Sequence, residues 1–220
     1  MKIGTDAMLL GAFASAENQD HILDIGAGTG VLSLMLAQKA KELNITAVEF
    51  DAFALEDLRY NFEKSPFDSV FQIIPEDFNA FSPDRKFDVI ISNPPFYKNS
   101  FTAGNEESRS KARNEEHLTF NVLISKSAVL LNENGKMYLI APYPERETIR
   151  KLAAENQFFV QQEIIVRGKP ETPVRSIFCF TNKKVIDPET IQFTIRDSAG
   201  NYTDEYIELT KEFHSKDLRS

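Results

Sequence analysis

Three glycines fall within five residues at Gly26-Ala27-Gly28-Thr29-Gly30, directly after the apolar run Ile22-Leu23-Asp24-Ile25. Helical spacing begins at once on the other side. From Val31 to Leu43 the apolar Val31, Leu34, Met35, Leu36 and Leu43 are interspersed with Gln38, Lys39 and Glu42. A buried strand, a turn rich in glycine and a helix make a βα unit, and a chain that repeats such units folds into a parallel sheet. The glycines let the backbone come close to a ligand, and the helix start offers N–H groups with no intrahelical partner. The feature therefore predicts an α/β sheet with a nucleotide-like cofactor at one edge.

The rest of the chain repeats the pattern. Ile45 to Glu49 reads as a second strand that ends in an acid. A carboxylate there, roughly 20 residues past the glycine turn, can accept both ribose hydroxyls of an adenosine. Asp51 caps a helix through Leu58 to Phe62, Val70 to Ile74 is a third strand followed by Glu76-Asp77-Phe78, and Phe87 to Ser92 is a fourth. A helix from Leu118 to Leu131, a turn at Asn134-Gly135, a fifth strand from Lys136 to Ala141 and a helix from Pro144 to Glu155 follow. Phe158 to Val166 and Val174 to Thr181 are strands six and seven, joined by the loop Arg167 to Pro173. No helix separates them, so they are predicted to form an antiparallel hairpin. Ahead of the glycine turn, Ala7 to Phe13 reads as a short apolar helix capped by Thr5 or Asp6. The tail adds a strand at Ile191 to Ile195, a turn through Tyr202 and a short helix from Tyr206 to Phe213. The expectation is one seven-stranded, mostly parallel sheet with helices on both faces. Residues 1–182 form the domain, and 183–220 are an extension packed on it.

Composition narrows the partners. With 42% hydrophobic and 26% charged residues the 220-residue chain is that of a globular protein, without a membrane-length apolar run or a signal peptide at Met1, and a cytoplasmic location follows. Cys179, the single cysteine, lies in an apolar run and reads as a buried strand residue. His21, His117 and His214 are too scattered to suggest a metal site. The net charge of −8 counts against a broad, non-specific grip on nucleic acid, but the stretch from Lys98 to Arg113 holds four basic residues against two acidic ones. Asn99 to Glu116, mostly polar with Gly104 and mixed charges, is predicted to be a mobile loop over a site.

The fourth strand runs into Asn93-Pro94-Pro95-Phe96. Two prolines stiffen this corner, because each fixes its own φ and Pro95 also restricts Pro94. The Asn93 carboxamide oxygen and the Pro94 carbonyl can present two fixed acceptors beside the flat face of Phe96. That arrangement suits an exocyclic amine on a conjugated ring, such as the amine of adenine. Accepting both N–H bonds favours a more tetrahedral nitrogen and frees the lone pair for attack, a preorganised stabilisation of the transition state.

A nicotinamide or flavin site would want G-x-G-x-x-G, with a small residue where Val31 stands. The spacing Asp24-x-Gly26-x-Gly28-x-Gly30 instead resembles motif I of the S-adenosylmethionine-dependent methyltransferases. Asn93 to Phe96 resembles motif IV of the amino-methyltransferases among them. Lys2-Ile3-Gly4-Thr5-Asp6 with Leu9-Leu10-Gly11-Ala12, Tyr97 to Ser100, Ala112-Arg113 before Leu118-Thr119-Phe120, and the tail around Tyr202 to Tyr206 are similar to the bacterial valine-tRNA (adenine-N6)-methyltransferase family. The resemblance implies a Rossmann-like class I methyltransferase fold and S-adenosyl-L-methionine as cofactor. Its substrate would be the adenine just 3′ of the anticodon. The resemblance puts Lys2, Thr5, Asp24, Gly26, Gly28, Glu49, Asp77, Phe78 and Asn93 with the cofactor, Asp77 on the adenine amine and Phe78 against the ring. It makes Asn93, Pro94, Pro95 and Phe96 the catalytic corner, and the reaction needs no metal. Lys98, Arg109, Lys111 and Arg113 are the candidates for RNA phosphates, with Arg167, Lys169 and Arg175 as a second patch. Members of the family carry a stretch rich in Phe and basic residues where Met1 stands, which would add cover and positive charge. Two other readings are a methyltransferase acting on rRNA guanine N2 or on protein glutamine, where Asn-Pro-Pro-Tyr is more usual, and a protein that binds cofactor or RNA without turnover.

Overall fold

Strands flanked on both sides by other strands and covered on both faces must be apolar almost throughout. His21–Ile25 (β1) is such a strand, with its last four residues buried. It pairs in parallel with Asn44–Val48 (β2) on one side and Phe87–Ser92 (β4) on the other. The computed structural model describes residues 4–95, 118–214 and 218. Among these, Thr5–Phe13 (α1) precedes β1, Val31–Lys39 (α2) follows the glycine turn, and Ala52–Glu63 (α3) leads to Val70–Ile74 (β3). Asp51 caps α3 by accepting from the Ala54 N–H at 2.9 Å. Phe120–Leu130 (α4) runs into Leu131–Pro142 (β5), and Arg146–Glu155 (α5) into Phe159–Lys169 (β6). Thr172–Thr181 (β7), Glu189–Thr194 (β8) and Asp204–Thr210 (α6) complete the chain.

The strand order is β3-β2-β1-β4-β5-β7-β6-β8, and β7 alone among these strands runs against the others. Successive side chains of the central strands enter opposite cores. Ile22, Val89, Ile91 and Ile140 pack with Leu9, Leu10, Leu32 and Leu36 of α1 and α2. Leu23, Ile90, Met137 and Leu139 pack with Leu123, Ile124, Ile149 and Ala153 of α4 and α5. Helices thus cover both faces.

Three details depart from the sequence expectation. The sheet has eight strands, because tail residues Glu189–Thr194 pair in parallel with β6 in the register Ile164↔Ile191. Without them the 11-residue β6 would present a long open edge of unpaired N–H and C=O groups. Residues expected as the loop 167–173 continue the β6–β7 ladder through Arg167↔Pro173 and Lys169↔Thr172, because cross-strand pairing outweighs their weak strand propensity. Asn134-Gly135 is not a turn before β5 but lies in a register shift within it, between Phe87↔Leu131 and Val89↔Lys136. A Cβ on Gly135 would stand 2.9 Å from the Asp88 carbonyl oxygen, so only glycine lets the strand pass. No helix among the described residues is long and apolar enough to cross a membrane.

Candidate active site

In an open parallel sheet, ligands bind beyond the carboxyl ends of the strands where the order reverses. Here that point lies between β1 and β4. Ile25 pairs with both Val48 and Ser92, and Val48 with Ile74, so β1, β2, β3 and β4 end side by side. The Ser92 hydroxyl also donates to the Ile25 carbonyl at 2.9 Å. Asn93 therefore leaves the sheet immediately beside Gly26, and the proline corner and the glycine turn share one edge.

The glycine turn is held open from beneath. Gly26, Gly28 and Gly30 have φ of 66°, 57° and 81°, the left-handed region that side chains rarely adopt. A Cβ at Gly26 or Gly28 would project into open space, whereas one at Gly30 would stand 2.6 Å from Leu58 and Phe62 of α3. The first two positions keep a cleft clear, and the third lets α3 pack close. Glu49, 7% exposed, accepts from the Gly28 N–H at 2.8 Å with one oxygen and from the Phe50 and Asp51 N–H groups at 2.8 Å with the other. Its carboxylate joins the turn to the end of β2 and keeps lone pairs for hydroxyl donors.

Asp24 is fully buried. Its Oδ2 accepts from the Ser33 hydroxyl at 2.7 Å and the Ser33 N–H at 3.2 Å, while its Oδ1 has no hydrogen-bond partner. Burial first, and then the neighbouring Glu49 charge, push its carboxyl up to about 7 against the two Ser33 bonds. A buried acceptor without a donor below an open glycine cradle suits a cationic or hydrogen-bonding group from a ligand.

Beyond β3, Asp77 accepts from the Asn79 backbone N–H at 2.7 Å and its side-chain amide at 2.9 Å, which folds the chain into a tight turn. The Lys126 ammonium on α4 donates to the carbonyls of Phe78, Asn79 and Phe81 at 2.6, 2.9 and 2.8 Å and fastens this turn to the domain. Phe78, expected against the cofactor ring, is packed into the core. Its side chain is 4% exposed, stacks on Phe81 at 6.2 Å and lies under the Lys126 ammonium at 4.8 Å, because a ring this close to β4 completes the core. Phe50, next to Glu49 at the same edge, is 45% exposed; the sequence reading did not single it out, although an aromatic directly after an acid at a strand end marks the position.

Around the corner, Asn93 is half-buried, Pro94 buried and Pro95 exposed. These three residues, with Gly4, Thr5, Asp6 and Arg175, line a cavity of about 510 Å³. Thr5 thus lines the cavity, on the first turn of α1. Neither Thr5 nor Asp6 caps that helix. Gly4 holds the cap position without a side-chain bond, and Asp6 pairs instead with Arg175 Nε at 2.8 Å, a stronger charge-assisted contact. The far end of α1 is secured by the Lys39 ammonium, which donates to the Gly11, Ala12 and Ala14 carbonyls. Arg167 donates to Gln192 and the Pro170 carbonyl, and Arg175 to Asp6. Lys2, Phe96, Lys98, Arg109, Lys111, Arg113 and the loop from 99 to 116 lie outside the described residues.

Residues 2–163 match the methyltransferase small domain family. A tRNA1(Val) (adenine(37)-N6)-methyltransferase of Flavobacterium johnsoniae is 37% identical over 220 residues, covering 98% of this chain and 93% of that protein. One from Bacteroides thetaiotaomicron is 36% identical, covering 97% and 90%. Among solved structures, a predicted O-methyltransferase from Agrobacterium tumefaciens superposes with a TM-score of 0.72 at 17% identity, over 94% of this chain and 96% of that one. A putative RNA methyltransferase from Pyrococcus horikoshii superposes with a TM-score of 0.52 at 26% identity, over 77% of each. Eight strands around a glycine turn, with an Asn-Pro-Pro corner at the same edge, have the architecture of class I methyltransferases. The chain belongs to the methyltransferase small domain family and, within it, to the family of bacterial tRNA1(Val) (adenine(37)-N6)-methyltransferases.

Proposed function

We propose that this chain transfers a methyl group from S-adenosyl-L-methionine to the exocyclic N6 amine of the adenine 3′ of the anticodon in a valine tRNA. The observation that carries the reading is the meeting of Asn93-Pro94 with the glycine turn at one sheet edge, since a methyl donor and its acceptor must lie next to each other. When bound, the cofactor supplies a sulfonium methyl that is already activated. The protein's share is alignment and electrostatics. Gly26 and Gly28 admit the amino-acid end of the cofactor, and Asp24 Oδ1 offers that end an acceptor. Glu49 takes the ribose hydroxyls, while Asp77 and the Phe50 ring hold the adenine. Asn93 Oδ1 and the Pro94 carbonyl accept from the two N–H groups of the target amine, and the stiff proline pair keeps both acceptors aimed without reorganisation. The amine proton leaves to water after transfer, so no general base is required. The target base must leave its stack to reach the corner, which an unpaired anticodon loop makes inexpensive. A tRNA substrate would place the protein in the cytoplasm.

The test is incubation of the protein with methyl-labelled cofactor and, in parallel, unmodified total tRNA, rRNA and release factor. Label is expected in N6-methyladenosine from the valine tRNA. Label in N2-methylguanosine or methylglutamine would replace this reading with another amino-methyltransferase. Cofactor binding without any transfer would leave a binding protein.

A further inference from the structure

We propose that Ser33 is a positioning residue of the cofactor site, its hydroxyl holding Asp24 by one oxygen so that the other serves as the anionic acceptor for the amino end of the methyl donor. The inference rests on the functional reading above and gives a role to a residue outside it. Helix α2 cannot cap itself in the usual way. Gly30 holds its N-cap position with φ of 81°, and a Cβ there would stand 2.6 Å from Leu58 and Phe62, so the position is closed to a capping side chain. The Leu34 N–H is the first to reach back along the helix, to the Gly30 carbonyl at 3.0 Å. The Ser33 N–H, one residue earlier, must find its acceptor in another element.

Asp24 supplies that acceptor from β1. Alternate residues of a strand share a face, and Ile22 enters the core beneath α1 and α2, so Asp24 points to the first turn of α2. Its Oδ2 takes both donors of Ser33, the hydroxyl at 2.7 Å and the N–H at 3.2 Å. The hydroxyl bond is the shorter, and it decides which oxygen faces the helix. Asp24 and Ser33 are both fully buried, and Asp24 Oδ1 is left without a donor. Such an atom lies shielded beneath Gly26 and Gly28, so its donor must come with the ligand, as the ammonium itself or across one water. Ser33 also acts on the charge. Burial pushes the Asp24 carboxyl up to about 7, the two Ser33 bonds oppose this, and Glu49, the charged group of the described residues that acts on Asp24, adds to the rise. Without the hydroxyl the neutral acid, a poorer partner for a cation, would persist to higher pH.

The experiment compares the full wild-type chain with Ser33→Ala and with Ser33→Thr, which keeps a hydroxyl. Carbon NMR of protein labelled at its aspartate carboxyls follows the titration of Asp24 without cofactor, its signal identified by its loss in Asp24→Asn. Calorimetry with S-adenosyl-L-methionine from about pH 6 to about pH 9, and thermal melting, run beside it. Ser33→Ala is expected to move the Asp24 titration to higher pH and to weaken cofactor binding about tenfold at neutral pH, the scale of one hydrogen bond to a charged group. The loss should close as the pH passes the new midpoint. Ser33→Thr should follow wild type in titration and binding, even where its extra methyl lowers the melting temperature. If Ser33→Ala only melts lower, with titration and binding profile as in wild type, the pair is a strut between β1 and α2 and the assignment falls. A loss of affinity by one factor at every pH would place the effect in the shape of the turn and also overturn it. Wild-type binding that does not change with pH removes Asp24 as the acceptor, and this role of Ser33 with it, while leaving the methyl-transfer reading intact. A wild-type chain that binds no cofactor at any pH removes the functional reading and this assignment together.

Discussion

Asn93 follows β4 and Asp24 sits near the end of neighbouring β1, yet their environments ask different things of them. Asn93 is half-buried and faces the cavity, so its replacement should act on the reaction and not on the fold. Asn93→Ala is expected to lower turnover at least about a hundredfold, the scale of losing one preorganised polar group at a developing charge. Cofactor affinity should change little; a large loss in a binding titration would mean that Asn93 serves the cofactor first. Asp24 is fully buried with its carboxyl raised to about 7. Its folded value lies above its unfolded one, so folding takes up a proton in between. The stability it contributes is full in acid, below the ordinary carboxylate range, and falls as pH rises towards 7. A cationic ligand end beside Oδ1 favours the carboxylate, so binding releases a proton below that value. Calorimetry should find cofactor affinity climbing by up to about tenfold per pH unit below 7 and flat above it. A profile flat throughout would show that Asp24 meets no charge from the cofactor.

At the scale of the element, the glycine turn separates ligand access from packing. Gly28 and Gly30 both have left-handed φ, but a Cβ on Gly28 would enter the cleft and one on Gly30 would strike Leu58 and Phe62. Gly30→Ala is expected to cost about 2–4 kcal/mol, adding left-handed strain to overpacking, read as a lower urea midpoint. Gly28→Ala should cost only the strain, about 1–2 kcal/mol, while abolishing measurable cofactor binding. Equal stability losses in the two variants would refute this division. The spacing of the three glycines made the turn visible in sequence, but not which neighbour each one serves. That depends on α3, which arrives over twenty residues later in the chain. The same holds for the aromatic next to an acid. Phe78 and Phe50 both follow one, at Asp77 and Glu49, and packing against Phe81 and beneath Lys126 buries Phe78 while Phe50 is 45% exposed.

Across the whole molecule, the sheet is closed on the far side from β3 by the tail and braced by a buried ion cluster. Glu163 on β6 is fully buried and is met by Arg146 Nε and Nη2 at 3.0 Å each and by Arg150. Burial works to raise its pKa, but the two guanidiniums more than offset that and hold the carboxyl below its usual range. Stability from this group is therefore present above the ordinary glutamate range and is lost as pH falls through the lower folded value. Glu163→Gln removes the buried anion that both arginines share, leaving Arg146 only the exposed Glu147, and is expected to cost about 3 kcal/mol near neutral pH, with the difference from wild type shrinking in acid. Denaturant titrations at several pH values check both statements; a pH-independent difference would exclude the ionic account. Neither arginine could be paired with Glu163 from the sequence, because the partners lie on a helix and a strand brought together only by the fold.

The sequence alone determined the alternation of strands and helices, the glycine turn, the acids at the ends of β2 and β3 and the proline corner. These are local: they follow from side-chain periodicity, from φ limits at glycine and proline, and from residue order along one strand end. The tertiary structure decided what depends on distant segments meeting. It gave β6 a parallel neighbour in β8, turned Asp6 from a helix cap into the partner of Arg175, and buried Phe78 while leaving Phe50 partly exposed. In each case an open edge, a carboxylate or a ring found a better contact across the fold than the one its neighbours in sequence could offer.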